Sequence, residues 1–200
     1  MKKLPASFYQ RSNVLRIAKE LLGKLLVTNF DNRRTIGRIV EVEAYNGIGD
    51  KASHAYGGRR TKRTEVMYGT GGTAYVYFIY GIHHLFNVVT NTTDIPHAIL
   101  VRAIEPVAGI DIMLERMKKS KADYTVGRGP GNVSKALGIF TTHTGLWLQD
   151  DTIFIADDDF HIKRTDIVAS KRIGVDYAAE DALLPYRFHV KDNPYVSGKK

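Results

Sequence analysis

Glu41, Glu43 and Tyr45 fall on alternate positions of a run rich in β-branched residues, Thr35 to Tyr45. As a strand, its period of two puts Ile39, Glu41, Glu43 and Tyr45 on one face and Ile36, Val40, Val42 and Ala44 on the other. Two carboxylates and a phenol on one face, where a strand runs into a basic loop, could hold a water and take its proton as general base. Glu43, next to the loop and two residues from Tyr45, is the better candidate. Glu41 has the same parity, and spacing does not choose between them. The plainer alternative for either is a solvent-facing glutamate paired with Arg38 or a loop arginine.

A second group of candidates lies in Thr73 to Leu85, which reads as an aromatic hairpin turning at Tyr80-Gly81. Tyr75, Tyr77 and Ile79 alternate with Val76, Phe78 and Tyr80, so both faces are apolar, and Val76 and Phe78 are expected to pack the core. Tyr80, beside the turn glycine, is expected to be exposed, where an aromatic can be pushed between base pairs. Asn87 is a lone amide among Leu85, Phe86, Val88 and Val89, to be satisfied by backbone or by a ligand edge. His54 is a loop histidine whose role spacing leaves open. His83 and His84 are strand neighbours pointing to opposite faces, which gives no support for a metal site. Asp157-Asp158-Asp159 fits no calcium loop. Gly129-Pro130-Gly131 before a helix could offer backbone amides to a phosphate, without the P-loop lysine and hydroxyl.

These residues need elements to position them. Ser12 or Asn13 can cap a helix with Leu15, Ala18, Leu21 and Leu22 at helical spacing, stopped by Gly23. Leu25 to Phe30 and Thr35 to Tyr45 predict a hairpin about Asp31-Asn32. Asn46 to Gly72, with Gly57 to Arg63 its most basic part, predicts a long functional loop with a short helix. After the aromatic hairpin come a strand from His97 to Ile104 ending at Glu105-Pro106, a helical pattern from Val107 to Lys118, and a helix from Asn132 to Leu137. Trp147 to Ala156 and Phe160 to Ala169 predict a strand pair, with a last strand from Tyr186 to Val190. The expected fold is α+β: one mixed domain over residues 1–200, with a curved, mainly antiparallel sheet, surrounding helices and a protruding β-hairpin.

Composition narrows the function classes. Lysine and arginine number 29 against 21 acidic residues, a formal charge of +8, so the surface should attract a polyanion, of which nucleic acid is the commonest. No run of about 18 apolar residues is present, so no membrane partner is expected. The chain has no cysteine, which removes disulfides, thiolate metal sites and cysteine nucleophiles. Its basic start is followed by polar residues, which points to a cytoplasmic protein, nucleoid-associated if bacterial.

Taken in order, Arg38-Ile-Val-Glu-Val-Glu-Ala-Tyr45, Ser53-His-Ala-Tyr-Gly-Gly-Arg59, Tyr75-Val-Tyr-Phe-Ile-Tyr-Gly81, Asn87, Leu100-Val-Arg-Ala-Ile-Glu-Pro106, Gly129-Pro-Gly131 and Arg172-Ile-Gly-Val175 closely resemble the alkyladenine (3-methyladenine) DNA glycosylase family. The resemblance spans nearly the whole chain. It implies a monofunctional enzyme with no metal or other cofactor. Such an enzyme, a monomer, hydrolyses the N-glycosidic bond of alkylated or deaminated purines in duplex DNA and leaves an abasic site.

The resemblance also implies roles. Tyr80 would fill the space of a flipped nucleotide, with Gly81 allowing the turn. Tyr45 would stack on one face of the base and His54 with Tyr77 on the other, while Asn87 would crowd the exocyclic amine of guanine and the backbone from Ala52 to His54 would read the remaining edge. Glu43, not Glu41, matches the water-activating glutamate. Arg102 would help position that water, with the carbonyl of Ile173 as a third contact. Arg59, Arg63 and the Gly129-Pro130-Gly131 segment would contact phosphates. Asn132 stands where the family usually carries lysine or arginine, with Lys135 one helical turn on as the nearest backbone-binding substitute. Two other functions fit the charge and the tyrosines: a non-catalytic damaged-DNA or single-strand binder, which would not need Glu43, and an RNA module, for which no motif speaks.

Overall fold

The computed structural model of the chain describes residues 1–198. Strand β1 (Lys2–Lys3) and helix α1 (Ala6–Tyr9) lead to α2 (Val14–Leu21), where the Asn13 side chain caps the helix by accepting from the N–H of Arg16. At helical spacing Val14, Ile17, Ala18 and Leu21 form the buried face of α2, and Leu15 is only partly covered. Strands β2 (Leu25–Phe30) and β3 (Arg33–Tyr45) form the predicted hairpin about Asp31 and Asn32. Both turn residues have positive φ, the pattern of hairpin turns that match strand twist.

Three short 3-10 helices (Gly47–Gly49, Tyr56–Gly58 and Glu65–Tyr68) punctuate the long loop before β4 (Ala74–Ile79) and β5 (His83–Thr90). Then follow β6 (His97–Ala108), α3 (Ile110–Met117), α4 (Pro130–Leu137), β7 (Ile153–Asp157), β8 (Ile167–Ser170) and β9 (Arg187–Val190). The strands make one open sheet in the order β1-β7-β2-β3-β6-β5-β4, with β9 added to β3 and β8 to β9, and every pairing is antiparallel. Helices α2, α3 and α4 cover one face through Ile17, Met113 and Leu137, which pack with Ile39, Val42 and Ile104 in the main core. The α+β class with a mainly antiparallel sheet is as expected. No helix among the described residues is long and apolar enough to cross a membrane.

Strand β3 organises the site, and its alternation is not continuous. Ile39 pairs with Ile104 and Glu41 with Ala103, which leaves Val40 as an extra residue on β3; Glu41 to Val42 then skips Arg102 on β6. The two bulges offset one another. Because of the first, Ile39 joins Val42 and Ala44 in the main core, whereas Ile36 packs with Leu25 and Val27 in another cluster. The predicted faces therefore hold only from Glu41 onward.

Four other expectations change. Phe78 is 48% exposed and not a core residue, because β6 pairs with β5 only from Asn87 to Thr90 and the hairpin projects beyond the layer that buries Val76. Strand β6 runs through Pro106 to Ala108; β5 has already left that edge, so a missing N–H costs no ladder bond there. Helix α4 begins at Pro130, whose fixed φ suits a first turn. Finally, β7 and β8 do not pair: β7 lies between β1 and β2, and β8 on β9.

Candidate active site

Glu43 is fully buried near the end of β3, yet its carboxylate borders a cavity of about 340 Å³. One oxygen, Oε1, accepts the backbone N–H of Ile173 at 2.8 Å and lies 3.3 Å from Arg102 Nη1. The other, Oε2, accepts the hydroxyl of Tyr45 at 2.8 Å. Three donors surround the group, a setting complementary to negative charge. Burial, and then the adjacent Glu43 carboxylate, push the Tyr45 phenol well above its ordinary range, so it stays a donor. Burial alone would lower Arg102, but the carboxylates of Glu43 and Glu41 outweigh it and keep the guanidinium charged.

The walls are aromatic. Tyr45, His54 and Tyr77 line the cavity together with Ala52, Asn87, Arg102, Ile173 and, at its mouth, Tyr80. The His54 and Tyr77 rings meet at 79° with centroids 4.7 Å apart, so they cannot both lie flat on one base. His54 Nδ1 is 2.8 Å from the Tyr75 hydroxyl, and Nε2 is 3.3 Å from Arg63 Nη2. Since arginine only donates, Nε2 accepts and Nδ1 carries the hydrogen. Burial, then Arg63 and Arg59, pull the His54 pKa down to about 4, which leaves a neutral ring at neutral pH. The Asn87 amide nitrogen donates to the carbonyls of Tyr75 (3.2 Å) and Leu85 (3.1 Å), which fixes its plane.

Not every predicted site residue lines the cavity. Gly81 follows Tyr80 in the turn, where both have positive φ and Ile79 accepts from the N–H of Ile82. Arg59, Arg63 and Lys135 are exposed outside it. Arg63 also packs 5.0 Å from the Tyr77 ring centroid. Asn132 spends its amide on the carbonyl of Arg128. The N–H groups of Ala52 and Ser53 both go to Asp50, and among the described residues the His54 N–H has no acceptor. It is the N–H of Ile173 that meets Glu43.

Glu41 does not line the cavity; it pairs with Arg102 (3.1 Å) and Arg187 (3.0 Å). Sequence reasoning passed over four contributors. Tyr75 orients His54 and shares the parity of Tyr77, which is the signal that could have found it. Arg172 donates twice to Asp50 (2.6 and 2.8 Å) and packs 4.9 Å from the Tyr45 ring centroid. Tyr177 donates to the Ala52 carbonyl at 3.1 Å, while Ser197 bonds Glu41 from the far end of the chain without any local signal. A larger cleft, about 1150 Å³, lies between α2 and the 157–169 segment. It shares no residue with the Glu43 cavity, and its Lys24 and Asp157 neutralise one another at 2.6 Å.

A buried carboxylate beside an aromatic-walled cavity and below an exposed tyrosine turn can be compared with known proteins. The family model described as methylpurine-DNA glycosylase (MPG) matches residues 7–194. Two proteins named "Putative 3-methyladenine DNA glycosylase", from Bacillus thuringiensis (strain Al Hakam) and Bacillus cereus (strain G9842), are each 49% identical over 203 residues, covering 98% of this chain and 98% of their own. A protein of the same name from Bacillus mycoides (strain KBAB4) is 48% identical over 201 residues, covering 96% and 98%. With the match running through every element that builds the cavity, the chain belongs to the methylpurine-DNA glycosylase family.

Proposed function

We propose that this chain is a monofunctional DNA glycosylase that acts as a monomer on duplex DNA. It flips alkylated or deaminated purines of the 3-methyladenine, 7-methylguanine and hypoxanthine type and hydrolyses their N-glycosidic bond. The observation that carries the reading is the Glu43 carboxylate, held by Arg102, Ile173 N–H and Tyr45 OH at the edge of an aromatic cavity.

A stacked base cannot be reached, so the nucleotide must leave the helix, at about a few kcal/mol, less when the base is damaged or mispaired. Tyr80, 79% exposed on a tight turn, is the group that takes its place in the stack. In the cavity Tyr45 faces the base from one side and the stepped His54 and Tyr77 wall from the other. A base made cationic by alkylation gains about 0.5 to 2 kcal/mol from such rings. Asn87 cannot swing aside because its amide is tied to two carbonyls, so an exocyclic amine at the purine's minor-groove edge meets a fixed obstacle. The free His54 N–H is the backbone donor for the remaining edge. Glu43 takes a proton from water as its oxygen bonds to C1′, Arg102 and the Ile173 carbonyl orient that water, and the base departs with the electrons of the broken C–N bond.

Single-turnover excision from duplexes carrying 3-methyladenine, 7-methylguanine or hypoxanthine tests this. The native chain should release the base and leave an abasic site, and Glu43→Gln should be at least ~10²-fold slower with lesion affinity retained. Unchanged release by the variant would sink the mechanism, and no release by the native chain from any of the three would favour a non-catalytic binder.

A further inference from the structure

Behind the Glu43 carboxylate lies a polar cluster of buried Glu41, Arg102 and Ser197 with the half-buried Arg187, of which only Arg102 reaches the cavity. Each guanidinium nitrogen of Arg102 has its own partner. Nε donates to Glu41 Oε1 (3.1 Å), Nη1 stands 3.3 Å from Glu43 Oε1, and Nη2 donates to Ser197 Oγ (3.1 Å). Having accepted from Arg102, the Ser197 hydroxyl donates to Glu41 Oε1 at 2.9 Å, and the Ser197 N–H donates to Oε2 at 2.6 Å. Arg187 closes the cluster, with Nε 3.0 Å from Glu41 and Nη2 donating to the Ser197 carbonyl (3.2 Å). With Glu43 included, two carboxylates face two guanidiniums, so the charges of the cluster balance.

A guanidinium held at one nitrogen can swing on its flexible stem, whereas one held at three is fixed in plane and direction. Arg102 also occupies the β6 bulge, where no ladder neighbour stands directly opposite it, so its aim depends on side-chain contacts. The segment that brings Ser197 is itself anchored. Arg128 donates to the Pro194 carbonyl, Asn193 donates to Glu105 (3.2 Å), and the Tyr195 ring meets Tyr124 edge-on at 5.3 Å.

We infer that Ser197 is a positioning residue for base excision: its hydroxyl bridges Glu41 and Arg102, and so keeps Arg102 directed at Glu43. The inference rests on the reading of Glu43 as the base that activates water. Ser197 does not itself line the cavity and reaches it only through Arg102, so its loss falls on the chemical step and not on lesion capture.

The test compares the native chain, Ser197→Ala and Ser197→Thr in two measurements, with thermal melting as a check on folding. One is single-turnover excision of hypoxanthine from duplex DNA with enzyme in excess; the other is affinity for a duplex carrying a reduced abasic-site analogue. Ser197→Ala should lose about tenfold in rate, the worth of one hydrogen bond to a charged group, with affinity unchanged. Ser197→Thr keeps the hydroxyl and should recover most of the rate. Native rate in Ser197→Ala, an equal loss of rate and affinity, or Ser197→Thr no faster than Ser197→Ala would each overturn the inference while leaving the glycosylase reading standing. A native chain inert on all three lesion types removes both.

Discussion

Glu41 and Glu43 carry the same functional group two positions apart, and their surroundings divide them. Glu41 is enclosed by Arg102, Arg187 and Ser197, whereas Glu43 borders the cavity with Tyr45 and Ile173 on its oxygens. The better sequence candidate is thus the one beside open space. His54 shows the same dependence on neighbours. With its pKa near 4 in the fold and an ordinary value near 6.5 when unfolded, it is neutral in the native protein where the unfolded chain would protonate it. Its contribution to stability is therefore complete above about pH 6.5 and is lost as pH falls towards 4. An NMR titration should place the His54 midpoint near 4, and Arg63→Gln should raise it by removing the adjacent charge. A midpoint at or above the ordinary histidine value would mean that the ring is solvated and not part of a closed wall.

At the scale of elements, the β4–β5 hairpin divides along its length. Near the sheet, Val76 and Phe86 are buried, Tyr75 and Tyr77 line the cavity, and Asn87 sits on the return strand. Towards the tip, Phe78, Tyr80 and Ile82 are 48%, 79% and 70% exposed. Large apolar groups held out on a turn with positive φ gain nothing from burial in the free protein. Tyr80→Ser should therefore leave the melting temperature within a degree or two, about the scale of a surface substitution, while weakening capture of a lesion duplex. A marked loss of stability with normal capture would make Tyr80 a structural residue. Another constraint lies at the start of α4, where a Cβ on Gly127 would come within 1.9 Å of the Ile104 carbonyl oxygen. That backbone cannot yield, because Ile104 in turn donates its N–H to the Gly127 carbonyl at 3.0 Å. Gly127 is thus required for close packing on β6, whereas a Cβ on Gly129 would meet nothing within 4 Å.

For the whole molecule, the +8 charge sets the expected response to salt. Each phosphate contact releases counterions, so exposed Arg59 and Lys135, if they meet the backbone, each contribute about 0.9 to the slope of log affinity against log salt. Replacing either by alanine should make the slope shallower by about that amount across lesion and undamaged duplexes alike. Unchanged slopes would remove these residues from the footprint. The same scale separates what was legible in the chain from what was not. By itself the sequence determined most element types, the polyanion-attracting charge and the ordered segments of the family, because periodicity, turn residues and composition are local properties. The partner of each strand was not local: the predicted pairing of the strands around 153 and 167 gave way to β7 between β1 and β2 and β8 on β9. Strict alternation failed at Val40 because a bulge is decided by the opposing strand, and Phe78 is exposed because no second layer reaches it. Only the tertiary structure decided that Glu43 and not Glu41 borders the cavity, and that Arg102 is held by a serine 95 residues away. The physical reason is that a side chain's type travels with the sequence, whereas its solvent, its counter-charge and its hydrogen-bond partners belong to whichever distant segments the fold brings against it.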